Sequence, residues 1–204
     1  MLQKKEKYNG AVVGATGAVG REMLSILGER CFPIEKIVPL ASQRSLGKHV
    51  EFRGEDVPVQ ALDSDSFAGV DMALFSAGGN VSLEFAPIAE KAGAIVIDNS
   101  SAFRMDQDIP LVVPEVNAAV LKKKQSRKII ANPNCSTIQL VVALQPLQEK
   151  FGIKKLIVST YQSTSGAGAK GMEELTKQVA ETFSGDKPTC DTFQHPIAFN
   201  CLPQ

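Results

Sequence analysis

Tyr8-Asn9-Gly10-Ala11-Val12-Val13-Gly14-Ala15-Thr16-Gly17-Ala18-Val19-Gly20 is the stretch that decides the fold. An apolar run ends at Val13, three glycines follow at three-residue spacing, and Val19, Met23 and Ile26 then recur at helical period. Strand, glycine turn and helix in that order are the context that a dinucleotide-binding loop requires. Glycines at 14, 17 and 20 let the turn be tight and let backbone N–H groups approach a pyrophosphate, while the helix start adds a favourable potential for the anion. The spacing is G-x-x-G-x-x-G, with Thr16 where the commoner fingerprint has glycine. A glycine-rich turn serving helix packing alone has the same composition. A Walker A loop is excluded, because no Gly-Lys-Ser/Thr follows.

Outward from this stretch the pattern repeats. Strands are expected at 34–41, 70–77, 94–98, 128–131 and 155–162, with a small hairpin over 49–62 whose return strand Pro58 places at an edge. Helices are expected over 83–92, with Pro87 in the first turn, and from Asn117 as cap through Lys124. Two more are expected, from about Ser136 through Phe151 and along Met172, Leu175, Val179 and Phe183, the last ending before Gly185. The fold class is therefore α/β: a Rossmann-like, mostly parallel sheet with helices, plus the start of a second α/β domain. The expected division is 1–134 for nucleotide binding and 135–204 for an incomplete catalytic and dimerisation domain.

Composition narrows the function. The 204 residues carry 22 basic and 22 acidic side chains, which argues against a nonspecific nucleic-acid binder or a polybasic membrane anchor. A hydrophobic fraction of 44% suits a folded chain, and no stretch approaches the length of a membrane span. Cys31, Cys135, Cys190 and Cys201 form no C-x-x-C pair, so no metal site is expected, and reduced thiols suit a cytoplasmic location.

Two segments refine the cofactor. After the second strand, Ala41-Ser42-Gln43-Arg44-Ser45 holds no carboxylate for ribose hydroxyls. Arg44 with Ser42 and Ser45 suits a 2′-phosphate, which favours NADP over NAD. Ser76, in Phe75-Ser76-Ala77-Gly78-Gly79, sits among small residues that leave room for a nicotinamide or ribose.

The chemistry points to Cys135, in Asn132-Pro133-Asn134-Cys135-Ser136-Thr137 at a strand–helix junction. A helix start favours a thiolate over a thiol, which is how cysteine nucleophiles are prepared. A thiolate beside a nicotinamide implies thioester chemistry, either oxidising an aldehyde or reducing an acyl phosphate. Arg104 is a candidate anion site, with a surface ion pair as its alternative. His49 and His195 are the only histidines, and neither has the context of a positioned base.

Taken together, Gly14–Gly20, Ser42–Ser45, Asp98-Asn-Ser-Ser-Ala-Phe-Arg104, Pro114-Glu-Val-Asn117, Asn132–Thr137 and Thr160-Tyr-Gln-Ser-Thr-Ser-Gly-Ala-Gly168 resemble aspartate-β-semialdehyde dehydrogenase. The motifs run in that family's order along nearly the whole chain. The resemblance implies NADPH-dependent reduction of aspartyl phosphate to aspartate semialdehyde, for lysine, methionine and threonine synthesis. It implies Cys135 as nucleophile and Gln162 as an active-site residue holding substrate. Arg104 and Asn134 are implied as phosphate ligands. Thr16, Gly17, Ala18, Val19, Arg44, Ser45, Ser165 and Gly166 are implied at the NADP, in a homodimer. The family continues well past the segment matching 197–202, and its acid/base histidine lies in that continuation. This chain is therefore expected to be an N-terminal portion, inactive alone. A sister reductase for N-acetylglutamyl phosphate is disfavoured by the residues flanking Cys135. A glyceraldehyde-phosphate-type enzyme is disfavoured by its different cysteine loop and by the missing acidic residue.

Overall fold

The computed structural model describes residues 4–123 and 125–203. Its contacts separate two compact units, Met1–Leu156 and Ile157–Gln204. The first is built on a six-stranded parallel sheet with strand order β5-β2-β1-β6-β7-β8. The strands are β1 (Tyr8–Val13), β2 (Ile34–Ala41), β5 (Gln60–Ala61), β6 (Met72–Phe75), β7 (Ile95–Asp98) and β8 (Ile129–Ala131). The order reverses beside β1, which makes the β1/β6 boundary a topological switch point. A separate antiparallel ribbon pairs β3 (His49–Phe52) with β4 (Glu55–Pro58), and Pro58 closes its end opposite His49.

Alternation along β1 explains the two-sided core. Ala11 and Val13 join Leu40, Phe67, Phe75, Val96 and Ile129 in one apolar cluster. Val12 faces the other way, with Leu24, Ile34, Val50, Phe52 and Val59. α1 (Ala18–Glu29) and the β3–β4 ribbon cover that second face. α2 (Gly79–Lys91) contributes Ala86 and Ala89 to the first. Glu90, near its C-terminus, accepts from Arg127 Nε on both carboxylate oxygens, at 3.1 and 2.9 Å, and pairs with Arg127 Nη2 at 2.8 Å, tying α2 to the approach to β8.

Three expectations need correction. α2 begins at Gly79, before the expected start, so Pro87 lies inside the helix and not in its first turn. The helix start is set by the glycine turn after β6, and Pro87 leaves the Leu83 carbonyl without an intrahelical donor. Asn117 caps nothing forward. Its side chain turns back, accepting from Val113 N at 2.8 Å and donating to Leu111 O at 2.9 Å. A single turn, α3 (Pro114–Asn117), and a 3-10 segment (Ala118–Lys122) replace the expected helix, whose end at Lys124 lies outside the described residues. Finally, 155–162 forms no strand. A strand requires a ladder partner, and the described residues offer this segment none. Ile157 and Tyr161 are 82% and 89% exposed.

The last helix of the first unit is α4 (Cys135–Phe151), which buries no residue fully and leaves Leu147 and Phe151 exposed. The second unit consists of α5 (Gly168–Ser184), a 3-10 turn before it (Thr164–Ala167) and the segment after it. Gly185 ends α5 in the left-handed region at φ 79°, as an αL cap requires. Glu174 and Gln178 are buried on one face of α5 and hold the returning chain. Glu174 accepts from the Asp191, Thr192 and Phe193 N–H groups. Gln178 donates to Thr189 O and accepts from Ile197 N and Ala198 N. No helix among the described residues is long and apolar enough to cross a membrane.

Candidate active site

The parallel register aligns four strand ends: Val13 pairs with Phe75, Phe75 with Asp98, and Asp98 with Ala131. The next residue of each strand therefore falls in one row along the C-terminal edge: Gly14, Ser76, Asn99 and Asn132. Three of them donate to the neighbouring strand's last carbonyl, Ser76 N to Val13 O at 2.9 Å, Asn99 N to Phe75 O at 2.9 Å and Asn132 N to Asp98 O at 2.8 Å. At about 4.8 Å per strand the row spans about 14 Å. The glycine loop opens at one end of it and the Cys135 loop at the other.

At the glycine end, Gly14 N and Ala15 N both donate to Leu40 O, at 2.8 and 3.1 Å, and Gly17 N donates to Gly14 O at 3.0 Å. Gly14 has φ +87°, and a Cβ there would meet Ala77 N and Ser76 Oγ at 3.0 Å. A Cβ on Gly20 would lie 2.2 Å from Gly14 O, so this glycine is what lets α1 rest on the loop. Gly17 is the N-cap of α1 and offers no side-chain cap, and the first turn holds no acidic residue, which leaves the helix's first N–H groups for an anion. Ala18 and Val19 in that turn are exposed.

The cofactor candidates from the sequence gather here in part. Thr16 Oγ1 lies 3.3 Å from Ser45 Oγ, joining the glycine loop to the 3-10 turn Gln43–Ser45 that follows β2. Ser45 is buried, whereas Ser42 and Arg44 beside it are exposed. Ser76 Oγ donates to Val13 O at 3.1 Å. These residues fit a dinucleotide: glycine packing, an uncapped helix start, and an exposed guanidinium by the turn after β2. Ser165 and Gly166 lie in the 3-10 turn of the second unit, where Ser165 Oγ is bonded to Ser163 Oγ.

At the other end, Cys135 is the first residue of α4 and is exposed. Asn134 caps the helix, its Oδ1 accepting from Ser136 N at 3.0 Å and Ser136 Oγ at 2.6 Å. Arg104 is half-buried beneath this loop. Its Nε donates to Asn132 O at 2.9 Å and its Nη2 to Asn99 O at 3.1 Å. No carboxylate among the described residues pairs with it, so it is not a surface ion-pair partner. The remaining guanidinium N–H groups are still available to an anion. Gln162 is exposed in the second unit, within 3.5 Å of Thr160 Oγ1. Both histidines are exposed, His49 on the β3–β4 ribbon and His195 in the segment after α5. No group of three or more metal-ligating side chains occurs among the described residues.

Sequence reading passed over the polar set under Arg104. Asp98 is fully buried and accepts from Ser82 Oγ at 2.6 Å, Ser100 N at 3.1 Å and Ser100 Oγ at 2.7 Å. Asn132 Nδ2 donates to Asn99 Oδ1 at 2.7 Å. The available signal was Asp98-Asn99-Ser100-Ser101, four small polar residues at the end of an apolar run. A groove of about 900 Å³ lies elsewhere, between α1 and the β3–β4 ribbon, lined by three carboxylates with Lys7, Arg21 and Arg53. It reaches neither Cys135 nor the glycine turn.

A doubly wound sheet with a glycine loop at its switch point and a cysteine starting a helix on the same edge defines a nucleotide-binding α/β protein of the dehydrogenase type. The semialdehyde dehydrogenase NAD-binding domain matches residues 9–124, and the semialdehyde dehydrogenase dimerisation domain matches residues 144–204. The chain belongs to the semialdehyde dehydrogenase family. It is 55% identical to the aspartate-semialdehyde dehydrogenase of Aquifex aeolicus over 96% of its length and 58% of that protein's. It superimposes on aspartate semialdehyde dehydrogenase II of Vibrio cholerae complexed with ASA, with TM-score 0.90 and 51% identity, covering 98% of this chain and 60% of that one. A Candida albicans aspartate semialdehyde dehydrogenase with NADP matches at TM-score 0.60 and 30% identity, covering 72% of this chain and 48% of that one. The chain thus spans about three fifths of the length of its Aquifex and Vibrio relatives.

Proposed function

We propose that this chain carries the NADP site and the nucleophile of a phosphorylating aspartate-semialdehyde dehydrogenase, which reduces aspartyl phosphate to aspartate semialdehyde. The carrying observation is Cys135 at the first position of α4, on the same sheet edge as the open glycine loop. Relatives of that name support the substrate, and an NADP-bound relative supports the cofactor. Gly14, Thr16, Gly17, Ala18 and Val19 would hold the pyrophosphate through backbone N–H groups. Ser42, Arg44 and Ser45 would take the 2′-phosphate, and Ser76, Ser165 and Gly166 complete the cofactor set. Bound NADPH would supply the hydride.

The steps of the chain's own residues follow. The Cys135 sulfur attacks the acyl carbon of aspartyl phosphate. The carbon–oxygen bond to phosphate breaks, leaving a thioester and inorganic phosphate. Arg104 and Asn134 bind the phosphate as it departs, and Gln162 orients the acyl chain. When the thioester is reduced, Cys135 is the leaving group, its carbon–sulfur bond breaking as the sulfur departs as thiolate. In this reading residues 1–134 bind the cofactor, and 135–204 open the catalytic domain through which two copies of the whole enzyme pair. The match to the dimerisation domain supports that pairing.

A second reading, an NADP-binding portion without turnover, is favoured by the exposure of both histidines. The two are separated by experiment. Calorimetry should show NADP binding to the chain, and mass spectrometry should show acylation of Cys135 by aspartyl phosphate. Cys135→Ala should abolish acylation and spare NADP binding. Equal acylation of the variant would remove the nucleophile assignment. Aspartate semialdehyde, phosphate and NADP should give little or no turnover; a normal rate would show that the chain holds its own base.

A further inference from the structure

Asn132 is fixed at three polar points. Its N–H donates to Asp98 O at 2.8 Å, its carbonyl accepts from Arg104 Nε at 2.9 Å, and its amide donates to Asn99 Oδ1 at 2.7 Å. Asn99 is fixed in the same way, donating its N–H to Phe75 O at 2.9 Å and accepting Arg104 Nη2 on its carbonyl at 3.1 Å. β7 and β8 are already laddered from Val96–Ile129 to Asp98–Ala131. The side-chain bridge is therefore one step beyond what the sheet needs, between the ladder and Cys135. Only Pro133 and Asn134 intervene. Pro133 is buried with its φ set by the ring, and Asn134 caps α4. A displacement of Asn132 thus passes to the first residue of the helix with little slack.

We propose that the Asn99–Asn132 amide pair, with Arg104 forked onto both backbone carbonyls, is a positioning device that holds Cys135 at the helix start. The proposal rests on the reading of Cys135 as nucleophile. It adds two positioning residues that touch no reacting atom and act through the peptide carrying the sulfur. Asp98 anchors the Asn99 side through Ser82 and Ser100. Arg104 gains a second task, since the same fork that binds the carbonyls aims its remaining N–H groups.

The test is the rate of Cys135 alkylation by iodoacetamide, read by peptide mass spectrometry on the chain, with Cys31, Cys190 and Cys201 as references in the same tube. All four cysteines are exposed. Asn99→Ala and Asn132→Ala should each slow Cys135 about fivefold, the equilibrium weight of one hydrogen bond, and leave the other three unchanged. The double variant should be no slower than either single one, because both remove the same bond. Asn99→Asp keeps the acceptor and should restore the wild-type rate. Unchanged Cys135 rates in folded alanine variants would overturn the proposal. Should those variants not fold, the Asn99→Asp/Asn132→Asp pair, isosteric but with two acceptors opposed, takes their place. Failure of every variant to fold would mean a structural tie, which also overturns it. NADP titration of the same samples keeps the readings apart: coupled Cys135 rates without NADP binding would sink the cofactor reading and leave the positioning device standing.

Discussion

Gly20→Ala should damage this chain far more than Gly17→Ala, although both glycines belong to one motif. A Cβ on Gly20 would sit 2.2 Å from Gly14 O and 2.8 Å from Gly14 C and Ala15 Cα. All three atoms are backbone, so no side chain can swing aside. Restoring ordinary contact needs a shift of about 1 Å between α1 and the loop. That shift would strain the bonds from Gly14 N and Ala15 N to Leu40 O and would lift Leu24, 1% exposed, off its core. Overpacking against fixed backbone sits at the upper end of its range, about 3 kcal/mol. For a chain of this size that lowers the melting temperature by roughly 6–12 °C. On Gly17 the nearest atom is Gly14 O at 3.3 Å and the backbone is extended, φ −75° and ψ 165°. Alanine there should stay within about 1 kcal/mol of wild type, the reduced freedom of the unfolded chain offsetting the contact. With no tryptophan in the chain, the melt is followed by far-ultraviolet circular dichroism. Equal melting of the two variants, or a worse Gly17→Ala, would refute the packing argument.

Three further outcomes are expected. Arg44→Ala should weaken NADP far more than NAD if the exposed guanidinium after β2 takes the 2′-phosphate, as proposed; equal losses in calorimetry would count against that role. Burial pushes the Glu90 carboxyl up, but the hydrogen bonds from Arg127 and the Lys128 N–H outweigh it and hold it below the usual range. A carboxyl lowered in the folded state lends stability above its unfolded value, about 4.3, and loses it as the pH falls. Glu90→Gln should therefore cost about 1 kcal/mol at pH 7 and progressively less as the pH falls below about 4.3, in urea titrations across that range. Glu174→Ala should free residues 191–193 without melting α5, because the side chain bonds those three N–H groups while Gln178 still holds Thr189, Ile197 and Ala198. Limited proteolysis should cut there first, and hydrogen exchange at Thr192 and Phe193 should accelerate; unchanged protection would mean other contacts hold the segment.

How much of this was legible depends on the range of the interaction. β1 and β2 fall where the sequence pattern puts them, because alternation and glycine turns act within a few residues, and the hairpin expected over 49–62 forms over 49–58, its last residues instead joining the main sheet as β5 beside β2. α2 escaped by four residues, since its start answers to the Gly78-Gly79 turn rather than to the apolar residues that begin at Leu83. The segment 155–162 misled for the opposite reason. Its residues have strand propensity, but propensity without a ladder partner leaves backbone groups to water, and the segment stays irregular and exposed.

The site divides along the same line. Cys135 and the glycines announce themselves locally, one by its polar flanks before a helix and the others by their spacing. Asn99 and Asn132 do not, for they are separated by 33 residues and neither neighbourhood mentions the other. What joins them is the register of β7 on β8. Once Asp98 lies opposite Ala131, the following residues must meet, in a parallel pair, at the same edge as Gly14 and Ser76. A slip of one residue would set Asn99 against Pro133, which has no amide to give. Register, fixed by the buried Val96, Ile129 and Ala131, is thus the step at which core packing becomes site geometry. That makes a testable demand on the core itself. A conservative Ile129→Val should cost about 1 kcal/mol of stability and leave Cys135 alkylation unchanged, because it removes volume without shifting the ladder. A Cys135 rate that fell with it would show that the loop is set by packing at large and not by the aligned strand ends.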